Sequence, residues 1–253
     1  MLTTRHNRYL NRKVPEIIIL FWVVKLLTTA VGESTSDYLV FKINPYLAVI
    51  LGGVGLVIAL ILQFSVRRYI AFVYWLTVAM VAVFGTMAAD VLHIQFGVPY
   101  LVSTSLFAVV LIAVFIAWYN SEQTLSIHAI NSPKREVFYW LTVMATFALG
   151  TAAGDLTAIT FGLGYFSSAL LFGGLITLPA IAYLLFNANE IATFWVAYVL
   201  TRPLGASIAD WMGKSKAVGG LGLGDARVSL YLTFIIVCFV AYLTITRRDI
   251  KDH

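Results

Sequence analysis

Cysteine, histidine and charge are what this 253-residue sequence has least of: one cysteine, four histidines and 11% charged residues, against 60% hydrophobic ones. The lone Cys238 excludes an internal disulfide, and its place between Val237 and Phe239 predicts a small buried hydrophobe. His6, His128 and His253 fall in segments expected at one membrane face, which excludes a haem held by two histidines between helices. Only His93 is expected at the other face. It stands one helical turn from Asp90 and could share a metal with it, although an interfacial hydrogen bond is the commoner role of such a pair. No His-Glu-x-x-His motif is present. The glycine run Gly219 to Gly224 lacks the following Lys-Ser or Lys-Thr of a phosphate loop and reads as a flexible outer loop. No enzymatic activity and no resident cofactor are expected.

What the chain has in abundance is apolar sequence. Leu47 to Ser65 and Leu101 to Tyr119 run without a charge, long enough to cross about 30 Å of hydrocarbon as helices. Membrane barrels need short strands of alternating polarity, so these unbroken runs predict helices and a lipid bilayer as the surrounding solvent.

One phrase occurs four times: an aromatic-Trp pair, a glycine ten residues after the tryptophan, and an aspartate five residues after the glycine. The copies are Phe21-Trp22, Gly32, Asp37; Tyr74-Trp75, Gly85, Asp90; Tyr139-Trp140, Gly150, Asp155; and Phe194-Trp195, Gly205, Asp210. Each copy holds one apolar segment ending near the aspartate and a second beginning shortly after it. The expected fold is an all-α membrane protein in a single domain, with spans near 15–37, 46–66, 70–92, 100–119, 136–158, 165–186, 190–212 and 228–246. Two spans per unit return the chain to the same side. The four tandem repeats, about 14–69, 70–134, 135–187 and 188–249, are therefore parallel, with pseudo-symmetry along the membrane normal.

Basic residues set the orientation. Arg5, Arg8, Arg12, Lys13, Arg67, Arg68, Lys134, Arg135, Arg247, Arg248 and Lys251 share one face, which makes both termini cytoplasmic by the positive-inside rule. Lys42 and the fourth-repeat loop, with Lys214, Lys216 and Arg227, oppose them. The net charge of +5 is thus mainly a topology signal, not one for nucleic acid. A cleaved signal peptide is not expected, because Trp22, Gly32 and Asp37 belong to the first repeat.

At about 100° per residue, positions seven, eleven and fifteen after each tryptophan share its helix face. In the first repeat that stripe holds Trp22, Thr29, Glu33 and Asp37; in the fourth, Trp195, Arg202 and Asp210. The glycines begin a second, small-residue surface with Ser36, Ala89, Gly154 and Ala209, expected to pack helix on helix, with Trp22, Trp75, Trp140 and Trp195 as packing anchors. Lys25 is expected near mid-membrane and Arg202 slightly beyond, with the four aspartates around an outer vestibule. Lys25 is eight residues from Glu33 and Arg202 eight from Asp210, too far for pairing within a helix. Pairing across the bundle, for example Lys25 with a repeat aspartate, is expected instead. Five acids against these two bases leave an excess of three. Pro203, following Arg202, predicts a broken helix that offers a carbonyl or a hinge.

This fourfold signature resembles a bacterial family of membrane proteins built from four tandem two-helix repeats of unknown function. The resemblance implies a cytoplasmic (inner) membrane location and, through members associated with manganese-responsive regulation, a manganese-linked transporter. The expected function is secondary transport of a cation, a divalent metal such as manganese, along a path formed by Glu33, Asp37, Asp90, Asp155, Asp210, Lys25, Arg202 and Thr29, with the five acids as metal ligands. Thr28, Ser34 and Thr35 add hydroxyls near Glu33. Ala82 and Phe147 stand where the fourth repeat has Arg202, which breaks a strict fourfold path. The alternatives are an organic-cation carrier and a non-transporting scaffold or sensor whose aspartates are structural.

Overall fold

Asparagine, serine and proline mark where several helices begin. In a computed structural model, which describes residues 12–250, Asn44 accepts from the amides of Tyr46 and Leu47 ahead of Pro45, Ser132 from that of Arg135 ahead of Pro133, and Asn189 from that of Ala192. The helices are α1 (Ile19–Lys42), α2 (Pro45–Ser65), α3 (Ala71–Ile94), α4 (Tyr100–Glu122), α5 (Pro133–Asp155), α6 (Gly164–Leu175), α7 (Thr177–Phe186), α8 (Glu190–Gly213) and α9 (Asp225–Thr246). No strand occurs among the described residues. Arg5, His6, Arg8, Lys251 and His253 lie outside them.

The sixth segment is α6 and α7 in succession. Pro179 has no amide to give Leu175, and the helix is interrupted there. Pro203 has no such effect: α8 runs continuously through it, correcting the expected broken helix. After Asp155, α5 instead loosens into a π-turn at Leu156–Thr160.

Among the described residues seven segments are long and apolar enough to cross a membrane: α2, α3, α4, α5 with its π-turn, α6 with α7, α8 and α9. They mark a multi-pass membrane protein. The remaining long helix, α1, with Lys25, Glu33 and Asp37 inside its length and Lys42 in its last turn, falls outside this set by composition. It is nevertheless a core element, with 13 of its 24 residues buried.

Burial divides the helices into two classes. In α3, α5 and α8 between 56 and 67% of the apolar window is buried, whereas α2, α4, α6 with α7, and α9 bury 11 to 28% and turn the rest outward. The inner set closes a ring: α1 packs on α3, α3 on α5, α5 on α8, and α8 on α1. Each outer helix lies on the inner helix of the following repeat: α2 on α3, α4 on α5, α6 with α7 on α8, and α9 back on α1.

The glycines explain the ring. The backbone of Gly32 lies against Ala82, that of Gly85 against Phe147, that of Gly150 against Arg202, and that of Gly205 against Thr29. In every case the partner is the residue seven after the tryptophan of the next repeat. The aromatic pairs follow the same rule, since the first aromatic of each pair meets the next repeat's tryptophan. Ring centroids are 5.6 Å apart for Phe21 and Trp75, 5.7 Å for Tyr74 and Trp140, 6.3 Å for Tyr139 and Trp195, and 5.7 Å for Phe194 and Trp22. This collar fills one end of the axis. Cys238, by contrast, is exposed on the outer face of α9, which corrects the expectation of a buried side chain.

Below the collar the segment before α1 ties the hairpin loops together. The amide of Lys13 donates to Ile130 (3.2 Å), that of Tyr69 to the carbonyl of Arg12 (2.8 Å), and that of Glu16 to Asp249 (2.9 Å). The Lys13 ammonium reaches buried Glu136 at 2.5 Å, which also accepts from Gln63 at 2.9 Å.

A side chain at Gly32 overlaps the backbone of Ala82, so Gly32→Val forces α1 from α3 and should cost about 1–3 kcal/mol or more, read as a lowered melting temperature of the purified protein. Gly174→Ala, where nothing lies within 4 Å, should leave stability unchanged or slightly raised. Equal loss in both would contradict the glycine register.

Candidate functional site

The four stripes face the common axis, and their residues lie in successive layers. Three residues after the tryptophans stand Lys25, Val78, Val143 and Tyr198, all buried. Lys25 Nζ sits 4.0 Å from the Phe147 ring centroid and 4.2 Å from that of Tyr198, and makes no hydrogen bond. The expected pairing of Lys25 with a repeat aspartate is therefore corrected: aromatic faces, not a carboxylate, surround the ammonium.

Next comes Arg202, fully buried on α8. One guanidinium nitrogen donates to Glu33 at 2.6 Å, to Thr151 Oγ1 at 2.6 Å and to Thr86 Oγ1; the other donates to the carbonyl of Thr29 at 2.9 Å. Glu33, Thr86 and Thr151 are the residues eleven after the tryptophans of the first three repeats. A single residue of the fourth repeat thus collects the other three at one point. Thr29 Oγ1 also approaches the carbonyl of Thr201, at 3.3 Å.

One helical turn further on stand the aspartates. Carboxylate oxygens of Glu33, Asp37 and Asp210 lie within 4.8 Å of one another, and all three residues are buried. Asp90 and Asp155 are half-buried and within electrostatic range of Glu33 and Asp37, but are not part of that trio. The sequence stripe found four equivalent aspartates; the structure brings two of them together with Glu33.

Lys214 completes the layer, although in the sequence it reads as a loop charge. Its ammonium contacts Asp37 and lies 3.7 Å from Asp210. It becomes a third base of the core, and Asp225 at the start of α9 lies within electrostatic range of it and of Asp37, so the acids still outnumber the bases by three. The loop that carries it is hydrogen-bonded back onto the end of α8: Leu221 to Trp211 (2.7 Å), Leu223 to Met212 (3.1 Å) and Gly224 to Gly213 (3.1 Å). Only the i,i+4 spacing of Asp210 and Lys214 signalled this in the sequence. His93 is not part of the trio; its Nδ1 meets the carbonyl of Val98 at 2.6 Å and its Nε2 meets Ser103 at 3.0 Å.

Burial opposes the charge on Lys214, but the carboxylates of Asp37 and Asp210 outweigh it and raise its pKa above the ordinary 10.5. A base with a raised folded-state pKa contributes stability that is whole below the unfolded value and is lost as pH rises through the folded one. The stability difference between the natural protein and Lys214→Met should thus be constant from about pH 7 to pH 10 in thermal melts; a steady decline over that window would contradict the assignment. For the central pair, Arg202→Met leaves Glu33 buried without its counter-charge and should cost about 3–5 kcal/mol, while adding Glu33→Gln should restore part of it. A double variant as unstable as the sum of the two would contradict direct coupling.

The chain belongs to the family described as Repeat of Unknown Function (DUF347), which matches it four times in tandem, at residues 20–69, 73–124, 138–189 and 193–249. No curated protein and no solved structure matches it.

Proposed function

We propose that this four-repeat protein is a secondary transporter of a divalent cation, with manganese as the first candidate, exchanged for protons. The observation that supports this most is the approach of the Glu33, Asp37 and Asp210 carboxylates to within 4.8 Å at the end of a polar axis. Three hard oxygen ligands from two helices suit manganese or magnesium, and soft ligands are absent from the trio.

The balance of charge fits the exchange. Glu33, Asp37, Asp90, Asp155, Asp210 and Asp225 oppose Lys25, Arg202 and Lys214, an excess of three negative charges. One divalent cation offsets two of them, and so do two protons, which makes the exchange electroneutral. Lys214 serves as a tethered cation that covers Asp37 and Asp210 until the metal arrives. The aromatic collar and the Lys13 to Glu136 contact close one end, while Asp90 and Asp155 keep partial access to the other. In this reading α1 is an eighth span, the ring is a fourfold pseudo-symmetric bundle about the membrane normal, and both termini face the cytoplasm of a bacterial inner membrane.

The scaffold reading has one observation in its favour: Lys214 already meets two of the acids. Manganese flux into proteoliposomes, with and without a pH gradient, separates the two. Transport predicts saturable, gradient-driven flux that falls about tenfold or more in Asp210→Asn and Asp155→Asn. Folded proteins without flux would leave the aspartates as structural groups.

A further inference from the structure

The ring is not equally covered all round. Where the fourth repeat meets the first, a groove of about 900 Å³ lies over the seam of α1 and α8, walled by α7. Trp22, Phe194 and Tyr183 line it, and it extends to Thr201 and Leu204, beside Arg202. Ile19, Val23, Tyr183 and Leu184 are exposed along it, so it opens sideways towards lipid. The break between α6 and α7 at Ile176 and Pro179 forms part of its wall.

Its charge is unlike its surroundings. The same end of the protein carries Arg12, Lys13, Lys134, Arg135, Arg247 and Arg248, yet among the described residues no lysine or arginine lines the groove; its acidic and imidazole side chains are Glu16, His128 and Glu190. Glu16 is bonded to Arg12. Glu190 is the exposed carboxylate, with a side-chain accessibility of 68% and His128 Nε2 3.7 Å away. Aromatic faces beside an accessible carboxylate, in a cavity of drug-like size, form the chemistry that holds a bulky cation.

We infer that this groove binds an amphipathic organic cation entering from the membrane, its hydrophobic body against Trp22 and Phe194 and its charge towards Glu190. The site is separate from the carboxylate cluster, and the inference does not depend on metal transport.

Tetraphenylphosphonium and tetraphenylborate provide the test, because they share size and shape and differ in the sign of charge. Each is titrated by equilibrium dialysis against the full-length protein in phosphatidylcholine nanodiscs, with empty nanodiscs subtracted. The expected result is saturable phosphonium binding at one site, weaker borate binding, phosphonium affinity lowered about two- to fivefold by Glu190→Gln, and loss of binding in Ala180→Trp, which fills the groove from its exposed wall. Glu190 and Ala180 are both exposed, and unchanged melting temperatures verify that the variants are folded. Equal affinity for the two ions would overturn the inference and leave an apolar crevice. So would phosphonium binding that is seen in detergent but vanishes in nanodiscs, which would assign the groove to bilayer lipid, or the absence of saturable binding in either medium.

Discussion

A single buried guanidinium holds this bundle together. Arg202 is donated by the fourth repeat and bonded to one residue from each of the other three, Glu33, Thr86 and Thr151, with the Thr29 carbonyl as a further acceptor. In a hydrocarbon environment an unsatisfied charge is expensive, and the two terminal nitrogens of Arg202 find their partners on three other helices, α1, α3 and α5, while its Nε stays without one. The mutual approach of α1, α3, α5 and α8 is what the arginine requires, and the glycine register permits it. Gly150, lying against the base of the Arg202 side chain, joins the two requirements.

The repeat is conserved in shape and broken in chemistry. Seven residues after the tryptophans the chain places Thr29, Ala82, Phe147 and Arg202; eleven after, Glu33, Thr86, Thr151 and Ala206; fifteen after, aspartate each time. Only the last layer is fourfold. An identical charge in every repeat at the centre of the axis would put four like charges in contact, whereas one arginine, one glutamate and two threonines make a neutral, hydrogen-bonded layer. The aspartate layer has no such internal balance. It borrows a lysine from the loop after α8 and retains an excess of negative charge, which is the charge that the proposed cation would offset.

Much of this was legible in the sequence because helical periodicity and membrane burial are both local properties. The Trp, Gly and Asp spacing placed the stripe, and the stripe does face the axis; the glycines do mark close helix contacts. What escaped prediction depended on which helix follows which around the ring. Nothing local says that Lys25 lies between Phe147 and Tyr198, residues of α5 and α8, or that Glu33 finds Arg202 across the bundle. Pro203 misled for the same reason: as a local signal it breaks helices, but packed against Gly150 it continues one, while Pro179 coincides with the interruption. Lys214 was hidden because loop glycines look flexible, and the hydrogen bonds that pin them belong to the end of α8.

The central claim is that the acidic end of the axis exchanges protons for a divalent cation. It is tested most directly by titrating manganese into weakly buffered, purified protein and measuring the protons released alongside the heat of binding. The charge balance predicts saturable binding with release of about two protons per manganese ion. Binding without proton release, or no binding by folded protein, would contradict it.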